Sequence, residues 1–178
     1  LMQPDDTEMV QLCVDQFTTA NNMTDTSAAL RSLVGSAADA AQVPKETALT
    51  DFYNRWVNEA LVIDQWFAIQ ASCQLPGTLD RVKALMSHAA FDIKVPNRMR
   101  AVIGQFAVKN MVNFHAADGG GYAFLADQVI KLNAINPQMA ARILAPLTRW
   151  EKFDAGRQLK MKDELQRILD VDGAVSYT

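Results

Sequence analysis

Apolar residues recur at i, i+3, i+4 and i+7 from one end of the chain to the other, and no sustained alternation of period two interrupts them. The spacing predicts an all-helical protein. Val10, Cys13, Val14 and Phe17 mark a first helix, and Leu49, Phe52, Tyr53 and Trp56 mark another. Val62, Ile63, Trp66, Phe67 and Ile69 give the next a nearly all-round apolar surface, which predicts a central position. Further stripes follow at Leu79, Val82, Leu85 and Met86, then at Met99, Val102, Ile103 and Phe106. The remaining three are Leu125, Val129 and Leu132; Met139, Ile143 and Leu144; and Met161, Leu165, Ile168 and Leu169.

Polar punctuation divides these stripes. Thr24 and Asp25 are N-cap candidates before Ala28 to Val34, and Thr78 after Pro76-Gly77 is another, because a side-chain oxygen can accept from unpaired first-turn amides. Asn136-Pro137 reads as cap plus first helical residue, where the missing proline N–H costs nothing. Val95-Pro96 ends whatever precedes it. The triple glycine Gly119 to Gly121 reads as the most flexible point, a hinge or a tight turn into a helix. Helices of roughly 10–16 residues in successive pairs suggest stacked helical hairpins of the armadillo or HEAT kind. An irregular helical bundle is the alternative, since no strict sequence period separates the two.

With 178 residues, 49% hydrophobic and 21% charged, the chain suits one helical domain spanning 1–178. A formal net charge of −3 and the absence of Lys/Arg runs offer no footprint for phosphate backbones, so nucleic acid is not an expected partner. No apolar run approaches the roughly 20 residues that cross a bilayer, and no basic, signal-type segment opens the sequence, so no membrane is expected either. Cys13 and Cys73 stand 60 positions apart, each on what reads as the apolar side of a helix. Reduced, buried thiols are expected, which suits a reducing, cytoplasmic setting.

Searching for chemistry yields little. A His-Glu-x-x-His zinc site needs two histidines one helical turn apart, whereas His88 and His115 lie 27 positions apart. There is no Gly-x-Ser-x-Gly elbow, and the triple glycine lacks the Lys-Ser/Thr of a phosphate loop. No catalytic residue and no metal or other cofactor are expected in this chain itself. Arg98 and Arg100 are more informative. They fall in the first turns of the helix opened by Pro96-Asn97, where the helix dipole disfavours cations by roughly 0.3–1 kcal/mol each. Residues two apart project about 200° from each other, so both cannot face one cavity. One is expected to form a salt bridge with Asp92 or a carboxylate of a neighbouring helix. An anion site is the other use of a guanidinium presented there.

Several clusters carry a family resemblance. They are Pro96-Asn97-Arg98-Met99-Arg100, the loop Phe114-His115-Ala116-Ala117-Asp118-Gly119-Gly120-Gly121-Tyr122, and Leu132-Asn133-Ala134-Ile135-Asn136-Pro137-Gln138-Met139-Ala140-Ala141-Arg142. Asn22-Met23-Thr24-Asp25, Trp56, Asp64-x-Trp66-Phe67 and Tyr122-x-Phe124-Leu125 extend it over most of the chain. Together they resemble the C-terminal helical domain of bacterial aminopeptidase N, a zinc-dependent peptidase of the His-Glu-x-x-His class. The resemblance implies a curved superhelix, which favours the armadillo/HEAT-like array over a bundle. It implies a parent enzyme that releases N-terminal amino acids from peptides, with broad preference for basic and small or apolar residues. Zinc and the catalytic residues would lie in the remaining domains of the same polypeptide. This domain would close the substrate cavity.

Two arginines reach that cavity in the family. The second arginine of Asn-Arg-x-Arg carries over to Arg100, and that of Asn-Pro-Gln-x-x-x-Arg to Arg142, where they would meet the distal end of a short peptide substrate. His115 and Asp118 match the family loop but take no role from it, and His115 is expected to be structural. Trp56, Trp66, Phe67, Tyr122 and Phe124 are expected in the core. Beginning at Leu1 rather than Met and ending at Asp172 to Thr178, where the family has a further helix, the chain reads as a C-terminal fragment of a larger enzyme. A free-standing helical-repeat module that binds a protein partner is the alternative.

Overall fold

A computed structural model describes residues 7–171. Eleven α-helices run through them in order: α1 (Thr7–Thr19), α2 (Met23–Val34), α3 (Gln42–Trp56), α4 (Ala60–Ala71), α5 (Thr78–Met86), α6 (Pro96–Met99), α7 (Gln105–Lys109), α8 (Met111–Phe114), α9 (Gly120–Asn133), α10 (Pro137–Leu144) and α11 (Ala155–Leu169). Short 3₁₀ turns occupy Asp39–Ala41 and Leu147–Lys152, and a π-turn, Arg100–Gly104, joins α6 to α7. No strand forms among the described residues. Leu1 and Asp172 to Thr178, on which the fragment expectation rests, lie outside them.

Neighbouring helices pack as successive hairpins, α1 on α2, α3 on α4, α9 on α10, with α11 returning against α9. The result is the all-α, armadillo/HEAT-like array. As its all-round apolar sequence predicts, α4 is central, touching α2, α3, α5, α6, α7 and the π-turn. Ile63, Trp66, Phe67 and Ile69 on it are buried, as are Tyr122 and Phe124 on α9. Trp56 is only half-buried, packed against the core. Removing these faces from water is the dominant force holding such an array together.

Several helix boundaries differ from the sequence expectation. At α2 the cap is Asn22, whose Oδ1 accepts from Asp25 N–H at 2.9 Å, while Thr24 and Asp25 lie inside the helix. Thr78 does not cap α5 either, because its hydroxyl donates backward to Leu75 O at 2.7 Å and Gly77, at φ +80°, makes the turn. Asn136 behaves as predicted, accepting from Met139 N–H at 3.1 Å ahead of Pro137. Cys73 lies past the end of α4 rather than on its face, with its thiol donating to Val34 O at 3.3 Å. Both cysteines are half-buried and free, and burial pushes the Cys13 thiol up from its ordinary pKa.

The triple glycine is packed rather than loose. Gly119 takes the left-handed conformation, φ +81°, that turns the chain into α9. Gly121 lies so close to α8 that a Cβ there would sit 2.7 Å from Phe114 Cα. Glycine is needed because two backbones meet. The contact sets α9 against α8 and so positions His115, between them.

Candidate functional site

The segment from Pro96 to Lys109 builds one wall of the site. Its apolar residues Met99, Ala101, Val102, Ile103 and Phe106 are buried, which fixes which way the polar residues point. Arg98 is the structural member of the arginine pair. Its Nη1 lies 3.1 Å from Asp64 Oδ1 on α4, with side chains 12% and 16% exposed, and its guanidinium sits 5.2 Å from the Phe67 ring centre. A neighbouring-helix carboxylate is thus the partner, and Asp92 instead accepts from Lys94 N–H at 2.8 Å.

Arg100 goes elsewhere. It lines a groove of about 320 Å3 together with Arg142 of α10, and Lys109, Met99, Met139 and Ile143 complete much of its wall. Asn97 Oδ1 accepts from the Arg100 guanidinium and steadies it. Arg100 also opens the π-turn, whose Gln105 N–H reaches back to Arg100 O. Such π-turns insert an extra residue into a helix and are frequent at functional sites. Gly104 lies one turn on, behind the Arg100 stem. Arg142 stands free of any ion pair among the described residues.

A second hollow of about 270 Å3 continues past Arg142, sharing Ala107, Val108, Arg142 and Pro146 with the first. Arg149, Lys152, Met111, His115 and Phe153 line it. No carboxylate side chain lines either hollow. Sequence reading missed Arg149 and Lys152, although each lies a helical repeat or so beyond Arg142. A continuous helical wheel would set Arg149 within about 20° of Arg142, but Pro146 and the 3₁₀ turn Leu147–Lys152 break the 3.6-residue period, so residue number alone does not place them on one face.

His115 bounds this second hollow. Its ring stacks on Phe153 with centres 4.2 Å apart, and its Nδ1 lies 2.9 Å from Tyr122 Oη. Burial, and then the nearby Arg157, hold its pKa below the usual histidine range. Arg157 in turn donates to His115 O at 2.8 Å and pairs with Asp154 at 2.6 Å, tying α11 to the loop before α9. Asp118 accepts from Gly120 N–H at 2.9 Å, a turn-forming contact. Both side chains thus make contacts within the fold, His115 with Tyr122 and Phe153 and Asp118 with Gly120.

Each histidine is engaged through Nδ1 within the fold. His88 is enclosed by Tyr53, Trp66 and Phe67 and accepts from Ala90 N–H at 3.1 Å, while His115 is engaged with Tyr122. No group of three His, Cys, Asp or Glu side chains converges among the described residues.

An array of helical hairpins with a basic groove along one side defines a helical-repeat domain. The chain belongs to the family described as a domain of unknown function (DUF3458_C) with ARM repeats, whose model matches residues 1–176. Aminopeptidase N of Haemophilus influenzae is 44% identical over 156 residues, 88% of this chain and 18% of that protein. The Escherichia coli aminopeptidase N is 45% identical over 154 residues, 86% of this chain and 17% of its own length. A crystal structure of Legionella pneumophila aminopeptidase A in complex with aspartic acid superposes with a TM-score of 0.86 at 36% identity, covering 95% of this chain and 19% of that one. The chain is homologous to the C-terminal part of such aminopeptidases and spans less than a fifth of their length. No helix among the described residues is long and apolar enough to cross a membrane.

Proposed function

We propose that this chain is the C-terminal cap domain of a cytoplasmic zinc metallo-aminopeptidase that releases N-terminal amino acids from peptides. The observation that carries the reading is the convergence of Arg100 and Arg142 on one groove free of carboxylates, while Arg98 is diverted to Asp64. Two guanidiniums with no acidic neighbour suit the C-terminal carboxylate of a short peptide, because a planar fork matches a carboxylate bidentately. In this reading, residues 1–178 form one domain and take no part in the bond-breaking step. The remaining domains of the same polypeptide are its partners and supply the zinc, its ligands and the general base. Zinc would there polarise the scissile carbonyl and activate water. The role of this domain is to enclose the cavity, keep out folded substrates and water, and meet the distal end of a short peptide with Arg100 and Arg142.

The homology to aminopeptidase N over most of this chain, at less than a fifth of those proteins' length, supports a part played within a larger enzyme. The test is made in the whole enzyme. Arg100→Ala or Arg142→Ala is expected to weaken turnover of di- and tripeptides about tenfold or more, in keeping with loss of a charge-assisted hydrogen bond. Amino-acid arylamides, which carry no C-terminal carboxylate, should be little affected. Equal losses on both substrate types would refute the carboxylate role.

A further inference from the structure

The groove extends well past the Arg100–Arg142 pair, and we infer that its second half, lined by Arg149 and Lys152, is a docking track for carboxylate side chains on the distal part of longer peptides. This rests on the aminopeptidase reading and deepens it. It names a substrate class, peptides with acidic residues far from the N-terminus.

The two hollows share Ala107, Val108, Arg142 and Pro146, which makes Arg142 the junction between them. Beyond it, Arg149 and Lys152 come from the 3₁₀ turn Leu147–Lys152, and Lys109 and Arg100 lie on the near side. Five cations thus line a continuous strip of a chain whose net charge is −3, so the strip is not a sample of a generally basic surface. Arg142, Arg149 and Lys152 have no ion pair among the described residues. The acidic residues next to them in sequence leave the strip unneutralised: Asp154 is held by Arg157, and Glu151 does not line it. Val108, Met111 and Phe153 provide an apolar floor between the charges, suited to the stem of a glutamate or to a peptide backbone. At the far wall His115, whose burial and Arg157 neighbour favour its neutral form, adds no charge near neutral pH.

Charge complementarity on an exposed strip governs selectivity and encounter more than tight binding. The occupant is therefore a transient, acidic peptide rather than a permanent partner. A peptide reaching only Arg100 and Arg142 would not sense the second half.

The experiment replaces both residues in the whole enzyme, Arg149→Gln with Lys152→Gln, and compares the peptides Ala-Ala-Ala-Ala-Glu-Glu and Ala-Ala-Ala-Ala-Gln-Gln with an alanine arylamide. The expected result is a KM about three- to tenfold higher for the Glu-tailed peptide, the size two exposed ion pairs supply, with kcat and the other two substrates unchanged. That preference should shrink with added salt in the unaltered enzyme and should turn toward Lys-tailed peptides in Arg149→Glu. Equal changes on Glu and Gln tails, or no change on either, would overturn the inference. An N-acetylated Glu-tailed peptide, which an aminopeptidase cannot cleave, reads the track apart from catalysis. If it binds through Arg149 and Lys152 while no amino acid is released from free peptides, the track stands and the aminopeptidase reading falls. If alanine is released but Glu and Gln tails are treated alike, the reverse holds.

Discussion

Arg98 and Asp64 meet at 3.1 Å beneath the Phe67 ring, and this pairing separates Arg98 from Arg100, which lines the basic groove two residues later. Both atoms of the contact are buried and neither finds a hydrogen bond elsewhere, so each charge depends on the other. Arg98→Ala or Asp64→Ala would strand one charge and is expected to cost about 2–4 kcal/mol, whereas the double replacement Arg98→Met with Asp64→Leu should cost less than either. Arg100→Ala, on an exposed side chain, should stay within about 0.5 kcal/mol. Denaturant titration of the four variants checks the order, and a loss for Arg100→Ala as large as that for Arg98→Ala would contradict it.

Gly121 and Gly104 offer a matched contrast. A methyl group at Gly121 would run into the Phe114 backbone, so Gly121→Ala must push α8 and α9 apart and should destabilise by about 3 kcal/mol or more. At Gly104 the nearest atom to a new Cβ would be Arg100 Cβ at 3.7 Å, ordinary contact. Gly104→Ala should be neutral or stabilising by up to about 1 kcal/mol, because alanine restricts the unfolded chain. Thermal midpoints of the two variants should move in different directions or by very different amounts.

Asn110 is fully buried and acts as a hub. Its amide donates to Ala71 O at 3.1 Å and Cys73 O at 2.6 Å, and its Oδ1 accepts from Asn113 N–H at 3.1 Å. Asn110→Ala should cost about 2–4 kcal/mol, since several buried groups lose their partners at once. Asn110→Asp should be no better, as it turns an oxygen toward two carbonyls. Retention of the parent stability by either variant would show that these bonds are replaceable.

His115 gives the fold a pH dependence whose sign follows from its lowered pKa. The folded state resists protonation, so the unfolded state takes up the proton first, at about pH 6.5. The contribution of His115 is full above that value and is lost as pH falls toward its depressed folded pKa. His115→Gln should flatten the stability profile as pH falls through and below about 6.5. Denaturant midpoints across that range read it, and an unchanged slope would assign the dependence to other groups.

Much of this fold could be read from the chain because helical periodicity is a local property. Val62, Ile63, Trp66, Phe67 and Ile69 predict a helix apolar all round, and on α4 all but the half-buried Val62 are buried. Asn136-Pro137 announced a helix start because cap and proline act within one turn. Cap expectations failed where the true cap lay a residue or more earlier: Asn22, extended at φ −143° and ψ 156°, caps α2 in place of Thr24 and Asp25, and Gly77 opens α5 in place of Thr78. Of the two readings of the triple glycine, the tight turn into a helix holds at Gly119, while the close approach of α8 to Gly121 is a packing fact that the sequence does not reveal.

Residue spacing alone specified an all-helical protein, the approximate places of the longer helices though not of α8, and the divergence of Arg98 from Arg100, since angles along a helix depend only on residue number. Which of the two went to a carboxylate was settled by Asp64, 34 positions earlier in the chain and brought alongside by the packing of α4. The tertiary structure likewise joined Arg142 to Arg149 and Lys152 across a proline and a change of helix type. A groove is made by surfaces from separate elements, and its charge is a sum over residues that no local pattern puts together.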